Sequence, residues 1–209
     1  MLDKSIPFFP VLMVKRDTKN YPRFELPVGY AITGYREGFE NRWADIIYSV
    51  EHTDTWQQAR DIFEKEFMSV PELLPGQCLF VLDGKGEAVA TASLWHGDHF
   101  GETHQRIHWV ATRPEHQGRG LVKALMTRLL DLHNELGYKD FIYLTTQTWS
   151  YKAINIYSQF GFVPYIGEKP VNWKDENFDK NNRLAWKLID EKISEYRQKK
   201  QETQRLQNG

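Results

Sequence analysis

The run Gln117-Gly118-Arg119-Gly120-Leu121-Val122 has the composition of a phosphate cradle. Its two glycines leave backbone N–H groups unshielded where an amphipathic segment begins, with Leu121, Leu125, Leu129, Leu132 and Leu136 at helical spacing. The first turn of a helix has N–H groups without internal acceptors, and its aligned peptide dipoles add attraction for anions. Just upstream, His104, Arg106, His108 and Val110 alternate along a strand-like segment, which would put two imidazoles on one face. Imidazole titrates near neutrality and can accept a proton directly or through water, and it serves equally as a hydrogen-bonded structural group. His108 is the first choice for such a base; no Asp or Glu lies between His104 and Ala111, and Glu102 precedes them.

Other chemistries fit less well. Asp54, His96, His99 and His104 match no compact ligand set, so no metal is expected. Cys78 is the single cysteine, which excludes an intrachain disulfide and a cysteine-rich zinc site; in an apolar strand it reads as an inert core thiol. Asp83-Gly84-Lys85-Gly86 reads as a hairpin turn whose glycines need no phosphate. Arg197, Lys199 and Lys200 are interleaved with acids, as on a solvated helix face. The formal net charge of -1 gives no reason to expect a nucleic acid or an anionic membrane as partner. Pro7 and Pro10 interrupt the N-terminal apolar run, so neither a signal peptide nor a membrane span is expected, and a cytoplasmic setting is the default.

These residues need a scaffold, and 209 residues suffice for one domain with a sizeable core. Apolar alternation predicts strands over 9–15 and 29–33, then helical spacing over 38–50 and 55–67. Strands at 77–82, 88–95 and 104–111 follow, the first two joined by the hairpin turn. A helix over 118–136 stops at Gly137; a strand at 140–146 leads to a helix over 151–160, capped by Ser150 and stopped at Gly161. Strands at 162–166 and 182–188 are the last. The order implies an α/β domain over 1–189, a mixed, mostly antiparallel sheet flanked by helices, with the middle helix crossing between two strands. Residues 190–209 form a charged extension, helical with a frayed end. Trp43, Tyr48, Trp56, Trp95, Trp149 and Trp173 serve either the core or an aromatic cleft.

Two stretches resemble the GNAT superfamily of acetyl-CoA-dependent N-acetyltransferases. Val110-Ala111, Pro114 and Gln117-Gly118-Arg119-Gly120-Leu121 match its first signature: an apolar pair ending a strand, a proline, then Gln or Arg, Gly, any residue, Gly and an aliphatic residue. Ala153, Tyr157 and Gly161-Phe162 match its second. The likeness extends over residues 79–165. It implies acetyl-CoA as co-substrate, with the pyrophosphate on the N–H groups of Gln117, Gly118, Arg119, Gly120, Leu121 and Val122. The pantetheine arm would pair beside Val110 and Ala111, one of whose N–H groups would polarise the thioester carbonyl. Tyr157 would protonate the departing thiolate, since an ordinary phenol with pKa near 10 holds its proton at neutrality; it also fits a core tyrosine sharing a helix face with Ala153 and Phe160. Ser150 stands where the family often has Asn, Val122 where it usually has Gly or Ala, and the carboxylate often found on the strand is missing. The implied activity is direct acetyl transfer, through a ternary complex, to a small-molecule or peptide amine of unknown identity, and a homodimer is compatible with it. The alternatives are a catalytically silent acyl-CoA-binding or regulatory module, and a transferase using another acyl-CoA.

Overall fold

Seven strands form one sheet in the computed structural model, which describes residues 2–207; Met1 and, in the expected extension, Asn208 and Gly209 lie outside the described residues. The strands are β1 (Pro10–Lys15), β2 (Ala31–Gly34), β3 (Cys78–Leu82), β4 (Ala88–Gly97), β5 (His104–Thr112), β6 (Ile142–Gln147) and β7 (Val163–Pro164), in the order β2-β3-β4-β5-β6-β1-β7. Every neighbouring pair is antiparallel except β5 and β6, which are parallel. A parallel pair needs a crossover. The helix α4 (Leu121–Glu135) supplies it, as its leucine spacing predicts.

One face of the sheet is covered by α1 (Phe39–Ser49) and α2 (Trp56–Phe67), joined to β3 through the short α3 (Leu74–Gln77). Trp43, Phe63 and Phe67 pack there against Phe80 and Trp95. A capping box opens α2: the Thr55 side chain accepts from the Gln58 N–H, and the Gln58 side chain accepts from the Thr55 N–H. That cap fixes where the helix starts, and so where Glu66, near its end, arrives. The other face is covered by α4, α5 (Tyr151–Gln159) and α6 (Phe178–Gln207), whose Leu125, Leu129, Ile154 and Ile189 share one core with Val89, Leu94 and Ile107.

Five expectations need correction. Residues 182–188 are the start of α6, because Asn182, Ala185, Trp186, Ile189 and Ile193 are buried at helical spacing, whereas Leu184, in step with Trp186 for a strand, is exposed. The helix expected from 118 begins at Leu121; Gly118 and Gly120 precede it with φ of 76° and 86°. Ser150 does stand at the N-cap of α5, yet its side chain makes no cap hydrogen bond. The strand expected over 162–166 is reduced to two residues. The boundary expected after 189 falls within α6, and Ile193 beyond it is buried in the main core.

Candidate active site

β5 carries one residue too many for its partner. Ser93 faces His108 and Thr91 faces Ala111, so one residue of β4 spans what two residues of β5 occupy. Trp109 absorbs the bulge with φ of 49°, a left-handed conformation uncommon for a large side chain. The alternation therefore breaks at this point. Arg106, His108 and Trp109 lie on the α1–α2 side, Val110 packs against the opposite core, and Ala111 returns to the α1–α2 side. The expectation that Val110 shares the face of His104, Arg106 and His108 is corrected by this bulge.

Beyond the bulge β5 leaves β6. The two pair only at Arg106 with Tyr143 and Ile107 with Leu144, whereas β1 holds the other edge of β6 along six residues. A cleft of about 230 Å³ opens between the parted strands. His108, Trp109 and Val110 form one wall, Thr145, Thr146 and Gln147 the other, and Ser150, Ala153 and Tyr157 close it from α5. Parted strand edges expose backbone N–H and C=O groups that need partners. An extended amide chain supplies them.

Tyr157 is buried, and burial alone raises its phenol pKa, with no charge or hydrogen bond contributing. His52, from the turn after α1, reaches the same cleft, its ring edge-on to Trp109 at 6.0 Å. Burial first, then the nearby charge of Lys4, lowers the His52 pKa.

A carboxylate from α2 stands beside β5. Glu66 Oε2 lies 2.5 Å from His108 Nε2 and accepts from Trp109 Nε1 at 2.9 Å, with Arg106 Nη2 3.8 Å away. Burial pushes the Glu66 carboxyl up, but hydrogen bonds and charge from His108, Trp109 and Arg106 outweigh it and hold the pKa near 2. Burial, assisted by the Arg106 charge and opposed by Glu66, pushes His108 down to about 4. At neutral pH the pair is thus a carboxylate against a neutral imidazole. The proton on Nε2 must then point at Glu66, which leaves the Nδ1 lone pair as the proton acceptor.

The glycine turn follows β5 after a single 3-10 turn at Pro114–His116. Gly120 stands at the N-cap of α4 with no side chain capping it, and the first helical turn has no acidic residue. The N–H groups of Leu121, Val122 and Lys123 accordingly have no acceptor within the helix. The Gln117 amide donates to the Thr112 carbonyl at 2.9 Å and closes the base of the turn. Arg119 bends back, donating to Tyr30 Oη at 3.0 Å and to the Glu115 carbonyl at 3.1 Å. Of the sequence candidates, Tyr157, His108, Val110 and Ser150 meet at the cleft; Gln117 to Val122 form the turn, and Ala111 is buried under α1 and α2. Among the described residues no group of three His, Cys, Asp or Glu could hold a metal ion, and no helix is long and apolar enough to cross a membrane.

Glu66 and His52 went unread in the sequence. An acidic residue in a helical pattern ordinarily faces solvent, and 42 positions separate Glu66 from His108. The missing strand carboxylate was the one signal pointing outside β5.

Residues 37–162 match the model of a family described as acetyltransferase (GNAT). The chain is 26% identical over 142 residues to the L-amino acid N-acyltransferase MnaT of Escherichia coli (strain K12), covering 65% of this chain and 75% of that relative. Among solved structures, a GCN5-related N-acetyltransferase from Sphaerobacter thermophilus aligns with a TM-score of 0.56 at 18% identity, over 75% of this chain and 48% of the other. A protein from Pyrococcus horikoshii OT3 aligns with a TM-score of 0.54 at 21% identity, over 67% and 92%. The chain thus spans about half the length of the first structure and most of the second. At these identities the likeness is one of fold.

Proposed function

The chain belongs to the acetyltransferase (GNAT) family, and from that premise we propose that it moves an acetyl group from acetyl-CoA directly to an amine within a ternary complex. The observation that carries this reading is the parting of β5 from β6 with Tyr157 and His108 on the walls of the gap. The donor's pyrophosphate rests on the turn from Gln117 to Val122, on the N–H groups that open α4, where the helix dipole favours negative charge. Its pantetheine amides pair with the strand edges that part after Ile107 and Leu144. The N–H of Val110 polarises the thioester carbonyl, and Ser150 offers a hydroxyl near the arm.

His108 Nδ1 takes the proton of the attacking amine, directly or through water, while Glu66 holds the ring in the required tautomer. The C–N bond forms, the tetrahedral intermediate collapses and the C–S bond breaks. Tyr157 gives its proton to the departing thiolate. Burial that raises the phenol pKa also destabilises a free thiolate in the same cleft, so the transfer stays matched. The Escherichia coli relative is named for an L-amino acid acceptor, which supports a small amine as the acceptor of this chain. Cys78, buried and free, fits the reducing conditions of a cytoplasmic enzyme.

Thermal unfolding with and without acetyl-CoA, followed by thiol release over a panel of amines, tests the reading. At a concentration 100-fold above Kd, a ligand bound only to the folded state stabilises it by about 2.7 kcal/mol, a readily measured rise in Tm. No shift at saturating acetyl-CoA overturns the donor assignment. A shift without thiol release from any amine leaves a silent binding module.

A further inference from the structure

Arg106 carries a buried donor without an acceptor. Its stem crosses Gly97, where an added Cβ would meet Arg106 Cδ at 3.0 Å, Nε at 3.2 Å and Tyr143 Oη at 2.0 Å. Only glycine leaves room for this side chain and Tyr143 together. The guanidinium comes to rest with Nη2 3.1 Å from His108 Nε2 and 3.8 Å from Glu66 Oε2. Neither contact satisfies it. The Nε2 lone pair is unavailable once that nitrogen carries the proton directed at Glu66, and 3.8 Å is ion-pair distance beyond hydrogen-bond range. Nε of Arg106 is buried with no partner at all.

A guanidinium carries five N–H donors in a rigid planar fork. Leaving one of these donors buried without an acceptor is costly, and the side chain keeps 16% of its surface open. The anion nearest the fork is Glu66, 3.8 Å from Nη2, and its hydrogen-bonding capacity is directed elsewhere. Glu66 Oε2 is already taken by His108 and Trp109, and Asp98 is engaged by the Asn172 amide at 3.1 Å. His96 and His99 are driven toward their neutral forms, by burial first and by the Arg106 charge second. His99 Nδ1 lies 2.9 Å from Tyr143 Oη and is oriented by it.

Arg106 is also placed relative to the reaction. It precedes His108 by two residues on the same face of β5, a rise of about 7 Å, and its Nη2 touches the imidazole. A carboxylate held by the fork leaves an amine one carbon away beside the His108 ring.

We propose that Arg106 is the anion anchor of the acceptor site, and that the acceptor is an amine bearing a carboxylate next to its nitrogen, an α-amino acid in its simplest form. The proposal rests on the transferase reading above and adds to it the residue that selects the substrate. Carboxylate and guanidinium meet as two parallel hydrogen bonds, a geometry that an amide or a bare amine cannot reproduce.

The test uses the full chain and a panel of L-α-amino acids, each beside its carboxamide and its decarboxylated amine, with thiol release as readout. The wild-type protein is expected to show kcat/KM at least tenfold higher for the acid than for either analogue. In Arg106→Gln that ratio falls by at least tenfold, mainly through KM for the acid, while acetyl-CoA still raises Tm. Arg106→Lys, which keeps charge without the fork, retains an intermediate ratio; it also serves if the glutamine variant fails to fold. Equal use of decarboxylated amines by the wild type overturns the proposal and leaves the transferase standing. So does an Arg106→Gln variant that loses acid and amine turnover alike, the mark of a merely structural role. Absence of both thiol release and an acetyl-CoA shift overturns the transferase reading itself.

Discussion

Tyr157 is buried and His108 keeps 11% of its side chain exposed, and desolvation moves their pKa values in opposite directions: up for the phenol, down to about 4 for the imidazole. Each is left in the form its proposed step requires, a protonated donor and a neutral acceptor. Tyr157→Phe removes one hydroxyl from a side chain whose packing is otherwise apolar. Its kcat is expected to fall by roughly 10- to 100-fold, within the range of general acid catalysis, with KM for acetyl-CoA changed less than about threefold. Unchanged turnover, followed by thiol release, would return Tyr157 to a packing role. The Glu66–His108 pair makes a separate statement about stability. His108 titrates near 4 when folded and at its ordinary 6.5 when unfolded, so the unfolded chain takes up the proton first; stability is full above 6.5 and is lost as pH falls toward 4. Glu66, held near 2 against an ordinary 4.5, contributes stability that is full above 4.5 and is lost as pH falls through 2. Tm measured against pH should therefore decline in two stages, and Glu66→Gln should remove the lower one. A lower stage that survives in Glu66→Gln would show that Glu66 is not held low by its neighbours. His108 is singled out in the sequence because an imidazole titrates near neutrality and lies on the strand leading to the glycine turn; its part as base is the proposal. Glu66 is not singled out, because a helix-borne carboxylate gains meaning only when tertiary packing brings it to an imidazole.

The glycine turn and the bulge show how far periodicity carries at the level of the element. The helix α4, with leucines repeating over fifteen residues, is unmistakable, and so is the strand before it. The bulge between them is invisible, since nothing in His108-Trp109-Val110-Ala111 announces a left-handed tryptophan. That hidden residue turns Val110 from the expected face and directs it to the cleft wall. The segment 182–188 failed differently: Leu184, Trp186 and Leu188 alternate like a strand, and only the longer register through Ile189 and Ile193 identifies a helix. Gly120 gives this scale its test. An added Cβ there meets nothing within 4 Å, so Gly120→Ala carries no clash in the free protein, only the cost of φ at 86°. That strain is of order 1 kcal/mol, a fall in Tm of about 2–4 °C. The methyl group would nonetheless stand beside the first free N–H groups of α4. KM for acetyl-CoA should rise several-fold with kcat preserved; a Tm loss without any change in KM would remove the turn from the donor site.

The helix α6 ties the far end of the chain to the cleft. Ile189 and Ile193 lie in the main core, and Arg197 donates through Nε and Nη2 to Asn155 Oδ1 at 2.9 and 2.7 Å. Asn155 is on α5, two residues before Tyr157, so the tail braces the helix that carries the proposed acid. From 198 to 206 every residue is exposed, and the charges there read as a solvated face. Composition places the change at 189, where the sequence becomes charged, but burial places it after Arg197, because helical spacing lets a few apolar residues anchor a mostly polar helix. A chain ending at 198 should therefore keep its Tm within about 2 °C, the small effect expected of exposed residues. A chain ending at 189 loses Ile193, Tyr196 and the Arg197 contact together. Ile193→Ala separates packing from truncation, at a cost of about 2–5 kcal/mol, roughly 5–15 °C for a chain of this size. If α5 depends on this brace, the shorter chain and Ile193→Ala should also show a smaller acetyl-CoA-induced rise in Tm, since a loosened α5 must be reordered when the donor binds. Equal Tm values for the chains ending at 189 and 198 would mean that α6 packs on the domain without supporting it.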